Sequence, residues 1–171
     1  MKRELGSLAK HRAYLGKPPK KGSVVPFPCE PKKVFAAQSN ATPKNTLFIS
    51  FGKATCRALK EQMPEYKVYW LTSSRHWERQ GHPPVTAKDV IAVLRETGAD
   101  GVDCHYAPEV VTAEMIAGVR KAGYEFHAWT VDRFAETKEA FRRGVQTVTT
   151  NCAEAQFKSA KAESDATEAR T

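Results

Sequence analysis

The chain has no apolar run near the ~20 residues that a membrane-spanning helix needs. Its basic amino end lacks the continuous apolar core of a signal peptide, so a cytoplasmic protein is expected. There is no G-x-G-x-x-G and no G-x-x-x-x-G-K-[ST] loop, which argues against the standard nucleotide folds. The four cysteines, Cys29, Cys56, Cys104 and Cys152, form no C-x-x-C pair and suggest no zinc site. A chain of 171 residues is long enough for a real core without a disulfide framework, so free and mostly buried thiols are expected.

Positive charge is in excess, with 27 Lys and Arg against 19 Asp and Glu. Ten of those bases and two of the acids lie in residues 1–45. Taking them from the totals leaves 17 of each sign in the remaining 126 residues, a net of zero. The net charge of +8 therefore belongs to the leader and not to the body. Six of the ten prolines share that stretch, three of them in the run VPFPCEP. Like charges beside proline, as in Lys17 to Lys21, do not fit inside a helix. Residues 1–45 read as a basic, Pro-rich, mostly irregular leader. Its aromatics are Tyr14, Phe27 and Phe35, and no RNA-binding motif accompanies them, so nucleic acid is not an expected partner.

Residues 46–152 are more regular. Thr46 to Phe51 reads as a strand, and Lys53 to Met63 as a helix stopped by Pro64. Lys67 to Leu71 is a second strand. Thr72 to Val85 is a polar loop holding Arg75, His76, Trp77, Arg79 and His82. Thr86 caps a helix in which Val90, Ile91 and Leu94 form one stripe, ended by Gly98. Gly101 to His105 is a third strand. Thr112 caps the next helix, whose apolar face is Met115, Ile116 and Val119. Tyr124 to Thr130 is a fourth strand, rich in aromatic and β-branched residues. Asp132 is the expected cap of a helix in which Phe134 and Phe141, two turns apart, share a face. Gly144 stops that helix, and Val145 to Thr149 is the fifth strand. Residues 153–171 form a polar tail, helical at first and then frayed. The order βαβαβαβαβ calls for parallel strands joined by crossover helices. The fold class is α/β, either a doubly wound sheet or part of a (β/α) barrel.

The ordered pieces Ile49-Ser50-Phe51, Leu71-Thr72, Gly98 to Asp103, His127 to Asp132 and Gly144 to Asn151 carry a resemblance. Together they resemble the C-terminal part of the glycerophosphodiester phosphodiesterases. That resemblance covers about residues 46–152 and implies a partial TIM barrel, its five parallel strands corresponding to barrel strands 4–8. It implies metal-assisted hydrolysis of glycerophosphodiesters to glycerol 3-phosphate and an alcohol, in phospholipid and glycerol metabolism. A divalent cation, Ca or Mg, is the cofactor implied. The chain also departs from the family pattern. His11-Arg12 is followed by Ala13 where the family's first strand has Gly. Cys29-Glu30-Pro31-Lys32 superficially matches the family's Glu-x-Lys strand, but prolines flank Glu30 and exclude a buried parallel strand. Residues 1–45 hold no Glu-x-Asp, the family's metal-ligating strand. Asp132 stands where Asn is usual, and Asn151 stands in the family's closing Thr-Asp-Arg-Pro.

Without a carboxylate cluster there is no hard-metal site to assign, and no catalytic or metal-binding residue is named. The expectation is a truncated member of the family, weakly active or inactive alone. The alternative is a non-catalytic binding or oligomerisation module derived from that barrel. An incomplete barrel leaves two free strand edges and an apolar interior, which favours self-association or a complementing N-terminal fragment. The substrate-contacting candidates are Trp129, Phe51 and His105, because barrel sites are built from strand carboxyl ends. Alternation places Asp103 and His105 on one side of their strand and Cys104 on the other, so Cys–His catalysis is poorly set up. His127 shares a side with Trp129, either in the same pocket or in a layer inside the barrel.

Overall fold

The computed structural model describes residues 41–73 and 85–168. The leader before residue 41 and the loop carrying Arg75, His76, Trp77, Arg79 and His82 lie outside them. Strands and helices alternate as β1 (Leu47–Ser50), α1 (Lys53–Gln62), β2 (Lys67–Thr72), α2 (Ala87–Thr97), β3 (Gly101–His105), α3 (Ala113–Lys121), β4 (Glu125–Trp129), α4 (Phe134–Arg143), β5 (Thr147–Val148) and α5 (Ala153–Glu168). Every strand pairs parallel with its predecessor, in the order β1-β2-β3-β4-β5. Sequential parallel strands with helical crossovers make this a partial TIM barrel.

Side-chain alternation divides the sheet into two faces. Val68, Trp70, Val102, Cys104, Phe126 and Ala128 turn toward the helices and join Val90, Leu94, Ile116 and Val119 in one core. Burying each such aliphatic side chain contributes about 1.5–3 kcal/mol, so this layer dominates stability. The opposite face carries Lys67, Tyr69 and Leu71, then Gly101, Asp103 and His105, then Glu125, His127 and Trp129. That face is mostly polar. Its apolar exception is the edge strand, where Leu47 and Ile49 are 50% and 51% exposed.

The helix starts follow local capping. Thr86 and Asp89 form a reciprocal capping box, with Thr86 N–H donating to Asp89 Oδ2 at 2.8 Å. Thr112 accepts from Met115 N–H at 3.2 Å, and Met115, Ile116 and Val119 are the buried face of α3. At the amino ends of the strands, Lys60 Nζ donates to Asp100 Oδ2, Pro64 O and Tyr66 O, each at 3.0 Å. Asp100 Oδ2 also accepts from Val68 N–H, so this end is clamped for stability.

Helix α4 differs from expectation at its cap. Its N-cap is Arg133 and no side chain caps it. Asp132 is instead drawn across to the end of β5, where it accepts from Asn151 N–H at 2.7 Å, Asn151 Nδ2 at 3.0 Å and Thr150 Oγ1 at 3.1 Å. The buried face of α4 is Thr137 and Ala140, while Phe141 is exposed and Phe134 only half-buried. The reason is the neighbouring helix. Gln156 of α5 is buried against α4, accepting from Thr137 Oγ1 at 2.8 Å and donating to Val131 O at 2.7 Å. A seam built on a polar side chain has room for Thr and Ala but not for two phenyl rings.

Candidate functional site at the carboxyl ends of the strands

The polar face is ordered in layers. In the first, Tyr69 aligns with Gly101 and Gly101 with Glu125. Gly101 has no side chain, and that lets β2 and β4 meet across β3. Tyr69 OH donates to Glu125 Oε2 at 2.7 Å, and Lys67 Nζ pairs with Glu125 Oε1. A Cβ placed on Gly101 would lie 2.5 Å from Glu125 O and 2.8 Å from Glu125 Cβ, far inside van der Waals contact.

The second layer is Leu71, Asp103, His127 and Thr147. The His127 ring lies against Tyr69 with centroids 4.2 Å apart. Its Nδ1 shares a 2.7 Å hydrogen bond with Thr147 Oγ1. Its Nε2 is 3.4 Å from Glu125 Oε2, yet no hydrogen bond forms there. The third layer sits at the carboxyl ends and is aromatic. Trp129 packs edge-on against Phe51 at 5.8 Å and against His105 at 5.2 Å. Trp129 Nε1–H donates to Asp103 O at 3.0 Å, which fixes the indole over β3.

Burial and partners set the charges. Burial opposes ionisation of Glu125, but hydrogen bonds from Lys67 and Tyr69, with the Lys67 charge, outweigh it and hold the carboxyl below its usual range. Burial pushes His127 below its ordinary value, only partly countered by Glu125, so the imidazole is neutral at pH 7. Burial raises the Tyr69 phenol, assisted by Glu125. Asp103 is pushed up to about 6 by burial, and no described side chain hydrogen-bonds its carboxylate. Cys104 is pushed up to about 12 by burial and faces the helices, so it is an inert core thiol. Cys56 is also free and buried, whereas Cys152 is free and exposed.

The structure brings Phe51, His105 and Trp129 into one cluster and places His127 one layer below. Tyr69, Glu125 and Lys67 escaped the sequence reading. Alternation could have put Lys67 and Tyr69 on one face, and Glu125 beside His127 and Trp129 on another. The contact between them depends on strand register, which sequence does not state. Among the described residues no group of three or more His, Cys, Asp or Glu is placed to hold a metal ion. Both Glu125 oxygens are engaged by Lys67 and Tyr69. The described residues therefore do not fit a divalent cation.

The model of the glycerophosphoryl diester phosphodiesterase family matches residues 24–155. The chain belongs to that family. Glycerophosphodiester phosphodiesterase relatives share the fold at low identity. A glycerophosphodiester phosphodiesterase from Parabacteroides distasonis is 22% identical with a TM-score of 0.57, over 79% of this chain and 51% of its own. A structure from Galdieria sulphuraria, described as a glycerophosphodiester phosphodiesterase, is 16% identical with a TM-score of 0.58, over 86% and 59%. A phosphodiesterase from Oleispira antarctica, solved with its product sn-glycerol-3-phosphate, is 15% identical with a TM-score of 0.56, over 77% and 49%. The chain thus spans about half the length of these relatives. No curated protein matches it. Within the phosphodiesterase pattern, the two unusual residues Asp132 and Asn151 turn out to be hydrogen-bonded to each other.

Proposed function

We propose that this chain forms the substrate-contacting wall of a glycerophosphodiester phosphodiesterase barrel, with Phe51, His105 and Trp129 touching the bound diester. By itself it is weakly active or inactive. The observation that supports this reading is the aromatic cluster at the carboxyl ends of β1, β3 and β4, where barrel enzymes hold substrate. Hydrolysis of a phosphodiester needs a cation or equivalent charge on the phosphoryl oxygens and an acid–base pair. The described residues offer one neutral buried His127 and no carboxylate cluster. The relatives' substrate, a glycerophosphodiester of phospholipid and glycerol metabolism, is the ligand proposed, with Ca or Mg supplied through residues outside the described set. The test is the purified chain with Ca²⁺ or Mg²⁺ and glycerophosphocholine. No turnover above background is expected. Turnover that disappears in Trp129→Ala would overturn the proposed inactivity.

A second reading has its own observation. Leu47, Ile49 and Phe51 leave an apolar strip on the edge strand, which favours pairing with another chain. Size-exclusion chromatography with light scattering separates the two: a monomer at every concentration removes self-association.

A further inference from the structure

Glu125 Oε2 lies near two ring side chains but bonds only one of them. Tyr69 OH donates to it from β2 at 2.7 Å, while His127 Nε2 stands 3.4 Å away and makes no hydrogen bond. The two rings are stacked with centroids 4.2 Å apart, so they reach the oxygen side by side. Lys67 holds the other oxygen, Oε1, which leaves Oε2 as the contested acceptor. His127 is 6% exposed, and its Nε2 is fully buried without a partner among the described residues. A buried polar atom left bare beside a carboxylate calls for a reason.

The proton decides which ring bonds the carboxylate. His127 Nδ1 hydrogen-bonds Thr147 Oγ1 at 2.7 Å, and a neutral imidazole carries a single proton. With that proton on Nδ1, Nε2 turns a lone pair toward Glu125 and cannot bond it. A second proton, on Nε2, makes the same nitrogen a charged donor. Charged donors hold carboxylates roughly twice as strongly as neutral ones, so the Tyr69 hydroxyl yields. The titratable groups facing His127 are Lys67 and Tyr69 from β2, Asp103 and His105 from β3, and Glu125 from its own strand. The face of β1 offers Leu47 and Ile49, and β5 offers Thr147. Burial and the Lys67 charge oppose a charge on His127 and Glu125 favours it, so proton uptake waits for a pH below the ordinary histidine value. Asp103, aligned with His127, loses its own charge at about 6.

We propose that His127 is an acid-sensitive switch on the hydrogen bond that joins β2 to β4. Neutral, it leaves Glu125 Oε2 to Tyr69. Protonated, it takes that oxygen through Nε2–H, and Glu125 is then held from within its own strand. One proton passes from solvent to Nε2, and β2 keeps only Lys67 on Glu125. Acid is thereby converted into a weaker hold between the two strands, in the layers beneath the aromatic cluster.

The test is NMR of the full chain, labelled at histidine nitrogen and tyrosine ring carbon and titrated from about pH 8 to about pH 4. At the upper end His127 is expected as the Nδ1–H tautomer. As the pH falls, the Tyr69 Cζ resonance is expected to move with the His127 midpoint. In Tyr69→Phe, which keeps the ring and removes the rival donor, His127 is expected to take up its proton about tenfold more readily. In His127→Gln the acid movement of Tyr69 is expected to vanish. An Nε2–H tautomer at the upper end, a Tyr69 resonance that ignores the His127 midpoint, or a midpoint unchanged or lowered in Tyr69→Phe would each overturn the proposal. A Tyr69 movement that persists in His127→Gln assigns the response to Asp103 and overturns it too. Should either variant fail to fold, the tautomer and the shared midpoint in the unaltered chain still decide the matter.

Discussion

Replacing Asp103 with Asn removes a charge that the fold holds at a cost, and the cost should be legible in stability against pH. Burial lifts the Asp103 carboxyl from its ordinary 3.8 to about 6. Between those values the native state holds a proton that the unfolded chain has released. Stability therefore falls as pH rises across that window, and the whole penalty is present above about 6. A shift of roughly two units corresponds to about 3 kcal/mol. The Asn amide keeps the shape but buries an N–H₂ group without a fixed partner, which returns about 1 kcal/mol. Asp103→Asn is thus expected to stabilise the chain by about 2 kcal/mol at pH 8, a gain that vanishes by about pH 4. The titratable neighbours on this face are His105, His127, Tyr69, Glu125 and Lys67. His127, held below its ordinary value, works in the opposite direction: its contribution is lost as pH falls through its unfolded value near 6.5. Because both proteins contain His127, the difference between them isolates Asp103. Urea denaturation of the two at a series of pH values from 4 to 8 is the assay. A difference that stays flat across that range, or a variant less stable at pH 8, would refute the burial argument.

Three other outcomes follow from the same geometry. Gly101→Ala should cost about 1–3 kcal/mol by overpacking, and should break the Tyr69–Glu125 bond, seen as a partial lowering of the raised tyrosine titration, the share due to burial remaining. Asp132→Asn alone should lower the Tm by turning one amide against another, whereas Asp132→Asn combined with Asn151→Asp should recover it, a coupling that a double-mutant cycle reads directly. Thr86→Ala should remove the capping box of α2 and cost about 1 kcal/mol in urea denaturation.

What the sequence made legible is what local periodicity controls. Thr86 and Thr112 announced their helices, because a cap acts within three residues. Met115, Ile116 and Val119 announced the buried face of α3 by spacing alone. The separation of Asp103 and His105 from Cys104 followed from the two-residue repeat of a strand. Asp132 was misread because its three donors come from Thr150 and Asn151, some twenty residues away along the chain. The spacing of Phe134 and Phe141 gave a shared face but not which face is buried, since the neighbouring helix, through Gln156, decides that. Of the candidate site, the aromatic cluster was visible from strand-end positions. The Lys67–Tyr69–Glu125 network beneath it was not, since it spans two strand spacings and rests on a residue with no side chain.

That network also bears on how the described sheet keeps its curve. Ordinary ladder bonds join nearest strands and leave each pair free to hinge against the next. The Tyr69–Glu125 bond instead runs as a chord, from β2 over β3 to β4. Flattening the sheet would lengthen that chord and break it. The arc of the described strands is therefore held near one radius from within.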